Sequence, residues 1–167
     1  EKKDAIEKQE KDFDQILPEL LGKISMTKSP SKIEVFTGFK GMKTAWRREF
    51  DHSDKETLYV IGINSSANYS KDVWNYFANI HRKKRENHGF KVRKLLSKEA
   101  RFEREAHEKK AKVRYLPYGS LVPMSIIGNL TLIGIMTEQS ITIAIESEEV
   151  ARNFREQFKV LWKAAEE

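Results

Sequence analysis

Apolar positions along the chain change their period several times, and each change predicts an element. Between Glu1 and Ile24, Ile6, Phe13 and Leu20 recur every seven residues, with Ile16 and Leu17 filling the next positions. That narrow stripe in a charged segment predicts a helix that needs a partner surface, its own domain or a second copy. Pro18 should kink or restart it near Leu17. Ser25 to Lys32, with Ser29-Pro30-Ser31, reads as a linker, so the expected divisions are a helix over 1–24, a linker over 25–32 and one domain over 33–167.

Beyond the linker the pattern alternates. Ile33 to Phe36 predicts a strand, Gly38 to Gly41 a turn, and Met42, Ala45, Trp46 and Phe50 a helical face. Leu58 to Ile61 predicts a buried strand. A helix over about Lys71 to Asn87 carries Val73, Trp74, Phe77, Ala78 and His81 on one side and closes at His88-Gly89. Phe90 to Leu96 is a strand, Lys98 to Lys110 a polar helix, and Val113 to Leu116 a strand. In the last third, Ser125 to Ile127, Leu130 to Met136 and Ile141 to Ile145 read as an antiparallel meander. A helix capped by Ser147 follows, with Val150, Phe154, Phe158, Leu161 and Trp162 as its apolar face. The fold class expected is therefore α/β: a mixed, largely parallel sheet with crossover helices, C-terminal antiparallel strands and a closing helix, preceded by an N-terminal coiled-coil helix.

Composition narrows the function. The 167 residues are 39% hydrophobic and 34% charged, which is globular rather than disordered. There is no cysteine, which removes disulfides and thiolate metal sites. No apolar run approaches the roughly 20 residues of a membrane helix, so a cytoplasmic location is expected. The net charge of +6 is unevenly placed: His81 to Arg114 holds 14 Lys/Arg against 5 Glu. Arg82, Lys83, Lys84 and Arg85 head this stretch, which is either a solvated surface or a site for nucleic acid.

Candidate ligand positions sit where strands end, because open α/β sheets collect ligands at carboxyl ends. They are Gly38 and Lys40 after the first strand, Gly62, Asn64, Ser65 and Ser66 after the second, Ser97 after the third and Tyr118 after the fourth. Amide, hydroxyl and backbone donors with little negative charge suit a small polar or anionic effector. Ordinary turn chemistry would use the same residues. No catalytic residue, metal or cofactor is expected. His52, His81, His88 and His107 are scattered and read as solvated or capping, Gly38-Phe39-Lys40-Gly41 lacks the length of a P-loop, and no Gly-x-Ser-x-Gly elbow occurs. The glutamates of Lys98 to Lys110 read as surface i,i+4 pairs.

Several segments, in order, carry a resemblance. They are Ile16-Leu17-Pro18-Glu19-Leu20, Ile33-Glu34-Val35-Phe36-Thr37-Gly38-Phe39-Lys40-Gly41-Met42-Lys43, Tyr59-Val60-Ile61-Gly62, His81-Arg82-Lys83-Lys84-Arg85 running to His88-Gly89, Val113-Arg114-Tyr115-Leu116-Pro117, Ile126-Ile127-Gly128-Asn129 and the helix from Ser147 to Trp162. Together they resemble the C-terminal region of TrmB-like transcriptional regulators, an archaeal and bacterial family. The resemblance implies a coiled-coil linker and a phospholipase D-like effector domain, with operator DNA read only by a winged helix-turn-helix that is missing from this stretch. It further implies a homodimer, paired through Ile6, Phe13, Ile16, Leu17 and Leu20. Sugar-sensing members carry an added β domain, for which the roughly 20 residues after Ser147 are too few. Catalytic phospholipase D enzymes use His-x-Lys-(x)4-Asp. Here His81-Arg82-Lys83 falls inside a predicted helix with His88 in the aspartate's place, so the activity is not carried over. The expected function is a non-catalytic, ligand-sensing and dimerisation region of a regulator. The alternatives are a phosphodiesterase-like hydrolase on this fold and a basic nucleic-acid-binding module.

Overall fold

The computed structural model describes residues 31–63, 69–103, 108–118, 122–135 and 139–167. The chain divides into two units between Pro30 and Ser31, and the described residues form the second. The predicted helix over 1–24, with Ile6, Phe13, Ile16, Leu17 and Leu20, lies outside the described residues.

Among the described residues seven strands form one sheet: β1 (Lys32–Thr37), β2 (Thr57–Ile63), β3 (Lys91–Ser97), β4 (Lys112–Leu116), β5 (Met124–Ile127), β6 (Leu130–Ile135) and β7 (Ile141–Glu146). Their spatial order is β1-β7-β6-β5-β2-β3-β4. The mixed α/β sheet expected from the sequence is present, with its antiparallel meander β5-β6-β7. Its balance differs, however: parallel pairing is confined to β2-β3 and β3-β4, while β1 pairs antiparallel with β7 at the far edge. Alternation of strands with helices specifies strand direction, not neighbours. The neighbour of β1 is chosen by side chains: Ile33 faces Ile145 and Val35 faces Ile143 across the pair. Arg48 then ties Glu34 on β1 to Glu146 on β7.

Helices cover both faces. On the first lie α1 (Gly38–Arg47), a 3-10 turn (Arg48–Asp51), and a long helical run made of α2 (Lys71–Tyr76), a π segment (Phe77–His81) and α3 (Arg82–His88). Ser70 caps this run by accepting from the Val73 amide, and Gly89 ends it in the left-handed conformation at φ 90°, as the sequence predicts. Gly38 to Gly41 is not a turn but the start of α1; Gly41 sits where a side chain would strike Phe36. On the second face lies α4 (Glu148–Ala164), capped by Ser147, with Glu148 and Glu149 in the positive first turn.

Because successive strand residues point to opposite faces, the two layers draw on alternate positions. Leu58, Val60, Val92, Leu96, Leu132 and Ala144 pack with Ala45, Trp46, Trp74 and Phe77. Tyr59, Ile61, Leu95 and Leu116 pack with Phe158, Leu161 and Trp162 of α4. The predicted helix over Lys98 to Lys110 is replaced by a 3-10 turn (Lys98–Phe102) that leaves Glu103 extended, while 104–107 lie outside the described residues. Ser97 accepts from the Ala100 amide, so a local cap favours the short turn. No helix among the described residues is long and apolar enough to cross a membrane.

Candidate functional site

On the helix-run side of the sheet, ionised groups are gathered in the interior. Glu49 in the 3-10 turn after α1, Arg85 on α3, Lys94 on β3 and Glu108 are all buried, as is His81 in the π segment. Arg85 grips Glu49 as a fork, Nε donating to Oε2 at 2.7 Å and Nη2 to Oε1 at 2.6 Å. Ser125 on β5 donates its hydroxyl to the same Oε1 at 2.7 Å, and His81 Nε2 donates to Oε2 at 3.0 Å. Arg85 Nη1 reaches Glu108 Oε1 at 3.4 Å, and Lys94 Nζ lies 3.3 Å from Glu108 Oε2. Lys94 also sits 5.2 Å from the centre of the Phe77 ring.

Titration properties follow from this geometry. Burial pushes the Glu49 carboxyl up, but the Arg85 charge and the hydrogen bonds from His81 and Arg85 outweigh it and hold Glu49 well below the usual carboxylate range. Glu108 is lowered in the same way: burial opposes, and Lys94 and Arg85 prevail. Burial, then the Arg85 charge, lower His81 below its ordinary value despite Glu49. The shift favours the neutral imidazole, donating through Nε2, and among the described residues its Nδ1 has no hydrogen-bond partner. The rings of Trp46, Phe50 and Tyr76 surround it, 5.0 to 6.1 Å away between centroids. Burial also brings Lys94 down to about 8, with Glu108 resisting.

Beside this cluster a partly open cavity of about 60 Å³ lies between the sheet and the helix run. Its walls are mostly apolar: Trp46, Tyr69, Trp74 and Phe77 supply rings, with Val60, Val73 and Leu132 between them. Arg85 and Ser125 reach it from the charged cluster. The π segment begins at Phe77 in the cavity wall and ends at His81 on Glu49, so one irregular turn joins cavity to cluster. Such turns recur at functional positions.

The residues singled out from sequence fall elsewhere. Gly62, which is buried with φ 84°, buried Ser97 and exposed Tyr118 mark the ends of the adjacent strands β2, β3 and β4. Gly38 and Lys40 follow β1, which is four places from β2 in the sheet order. At the usual strand spacing that is about 19 Å, so the set does not converge on one small ligand. Asn64, Ser65 and Ser66 lie outside the described residues. The basic stretch also divides: Lys83 and Lys84 are exposed, but Arg85 and Lys94 are internal and Arg82 is half-buried against Ala78 and Glu86. Arg85 therefore is no part of an exposed basic patch: it is buried, and carboxylates take three of its five N–H groups. Glu108 is not a surface i,i+4 partner but an internal ion-pair partner for residues 14 and 23 positions away. His81 is neither solvated nor capping. His88, by contrast, bonds the His52 carbonyl at 3.1 Å, and His52 pairs with Glu56. Among the described residues no three His, Asp or Glu side chains are grouped to hold a metal.

No family model matches the chain, and no curated protein matches it significantly. Solved structures do. TrmBL2, an archaeal chromatin protein described as showing a novel mode of DNA binding, superposes with a TM-score of 0.58 at 18% identity over 98% of this chain. The chain spans 64% of the TrmBL2 length. Nuc from Salmonella typhimurium, a phospholipase D family member, is similar at TM-score 0.59 and 11% identity, over 81% of this chain and 97% of its own. NucT from Helicobacter pylori gives 0.54 and 9%, over 81% and 98%. At these identities the likeness is one of fold: the chain has the phospholipase D-like architecture, the one implied by the sequence resemblance.

Proposed function

We propose that this chain is the sensing region of a prokaryotic transcription or chromatin regulator, acting in the cytoplasm without catalysis. A small molecule shifts its structure, and the N-terminal segment passes that shift to a DNA-reading domain. The observation that carries this reading is the closed Glu49 cluster beside an aromatic cavity. A hydrolytic site needs a nucleophile and a base that can both reach substrate. Here the buried carboxylate and imidazole are spent on each other and on Arg85 and Ser125, which suits a switch better than a reaction. The fold likeness to TrmBL2, itself a DNA-binding chromatin protein, supports the same direction. Dimerisation through Ile6, Phe13, Ile16, Leu17 and Leu20 belongs to the proposal, and sedimentation equilibrium showing a monomer would remove that part.

The test of the whole is chromosomal occupancy of the full-length protein after cross-linking in its own cells. Discrete bound loci are expected, and absence from the chromosome would overturn the regulator reading. In parallel, purified protein should leave bis(4-nitrophenyl) phosphate unchanged. Turnover that disappears in His81→Ala would favour the hydrolase alternative instead.

A further inference from the structure

We propose that the cavity between the sheet and the α2–π–α3 run binds a neutral, planar ring bearing a carbonyl beside an N–H, the pattern of an aromatic amide or lactam. This rests on the sensing reading above and replaces the polar or anionic effector expected at the strand ends with a different ligand class in a different place.

Three features of the site select that chemistry. The first is the wall: the rings of Trp46, Tyr69, Trp74 and Phe77 with Val60, Val73 and Leu132 favour a flat apolar body over a sugar, which would lose its hydrogen bonds to water here.

The second is the polar corner. Arg85 and Ser125 are both anchored on Glu49 Oε1, at 2.6 and 2.7 Å, so they are held side by side where they line the cavity. A guanidinium carries five N–H groups. Three of Arg85's bonds go to Glu49 and Glu108, which leaves donor capacity for a carbonyl oxygen. The Ser125 proton goes to Glu49, so its oxygen keeps lone pairs to accept an N–H. A donor and an acceptor placed together match an amide edge.

The third is charge. Glu49 and Glu108 already balance Arg85 and Lys94 in this interior cluster. An entering carboxylate or phosphate would add an unmatched buried charge next to Glu49, and an entering cation would compete for a carboxylate already committed to Arg85. The volume of about 60 Å³ in a partly open site limits the buried portion to about one ring.

The full chain titrated with benzamide tests this, read by tryptophan fluorescence and thermal unfolding. Trp46 and Trp74 line the cavity while Trp162 packs on the opposite face, so a bound ring alters two of the three reporters. A fragment of this size should saturate by about 10 mM and raise the unfolding temperature by a few degrees. Benzoate should bind at least about ten-fold more weakly. Ser125→Ala should weaken benzamide about ten-fold, and Val73→Phe, which fills the cavity, should abolish the saturable change. The proposal is overturned if benzamide gives no saturable response, if benzoate binds equally well, or if a folded Val73→Phe or Ser125→Ala protein binds benzamide unchanged. Discrete chromosomal occupancy with no benzamide response would strike down this ligand assignment alone. A benzamide response without occupancy would keep the site and remove the regulator.

Discussion

The two faces of the sheet solve the same packing task with different materials. Toward α4 the strands offer Tyr59, Ile61, Leu95 and Leu116, and Phe158 and Trp162 stack against them with ring centroids 5.4 Å apart. That interface is apolar at its centre. Toward the helix run, Leu58, Val60 and Leu96 share the face with Lys94 and Ser125, and the helices answer with His81, Arg85 and Glu49. One residue separates the regimes: Lys94 and Leu95 are neighbours in β3, and both are fully buried. An apolar interface is non-directional and tolerates repacking. A buried ionic cluster is stable only in one arrangement and costs dearly when partly dismantled. The first face is thus a fixed base, and the second is the place where a small geometric change has a large energetic consequence.

The contrast can be broken at its strongest points first. Glu49→Ala would leave the Arg85 cation buried with only a distant Glu108 contact, and a loss of about 3–5 kcal/mol in urea unfolding is expected. Phe158→Ala on the other face should cost a similar ~3–5 kcal/mol by leaving a cavity. The two are told apart by pH, because only the first perturbs groups that titrate.

His81 is held below its ordinary 6.5, so between that value and its folded one the unfolded chain takes up a proton the folded one refuses, and stability falls as pH drops. Glu49 and Glu108 are held below 4.5, so their contribution is complete above 4.5 and is lost as pH falls toward their folded values. Lys94 acts at the other end: with its folded value near 8 against 10.5 unfolded, stability rises with pH across that window. Urea midpoints from pH 7 to pH 4 should therefore decline in the natural protein. They should run parallel in Phe158→Ala and decline more steeply below pH 6.5 in Glu49→Ala, because Glu49 is the group that holds His81 up. A Phe158→Ala curve of different slope would show that the faces are not independent.

Smaller effects follow. Ser125→Ala removes one hydrogen bond to a carboxylate that keeps three others, so about 1.5 kcal/mol is expected in the same unfolding assay. Lys83→Ala and Lys84→Ala, which alter only the exposed part of the basic stretch, should each stay within about 0.5 kcal/mol. A large destabilisation at either would mean that more of the stretch is internal than Arg85 and Lys94.

Much of the apolar face was legible in the sequence and little of the ionic one. Phe154, Phe158, Leu161 and Trp162 announce α4 by their spacing, and Ser147 announces its start. The strands read from alternation, and the long helix stops at Gly89 because only a left-handed residue fits there. The ionic cluster left fainter signals. In the helix run, Val73, Phe77, His81 and Arg85 recur every four residues, so the apolar stripe carries the last two inward; weighing Arg85 with Arg82, Lys83 and Lys84 as a patch hid this. Strict alternation likewise aligns Lys94 with Val92 and Leu96, which are buried with it. Glu49 follows Met42 and Ala45 at helical spacing, seven and four residues on, and is buried with them, whereas Glu108 lies in no regular helix or strand and offered no such pattern. The cavity could not be read at all: its walls come from α1, α2, the π segment, α3, β2, β5 and β6, and only tertiary contact assembles them.

The two ends of this unit lie at opposite edges of the sheet. β1 forms one edge of the sheet, with Ile33 and Val35 64% and 61% exposed, and the stretch after α4 returns to the opposite edge, where Glu166 bridges Tyr115 of β4. Six strand intervals separate those edges, at least about 29 Å at ordinary spacing. A circular permutant closing residue 167 onto 31 would need a bridge of about nine extended residues to cross the sheet. Short tethers would shear β1 from β7 or peel Glu166 from β4. Tandem fusion avoids that strain, because segments attached at the two ends leave from opposite sides and do not compete for the same edge.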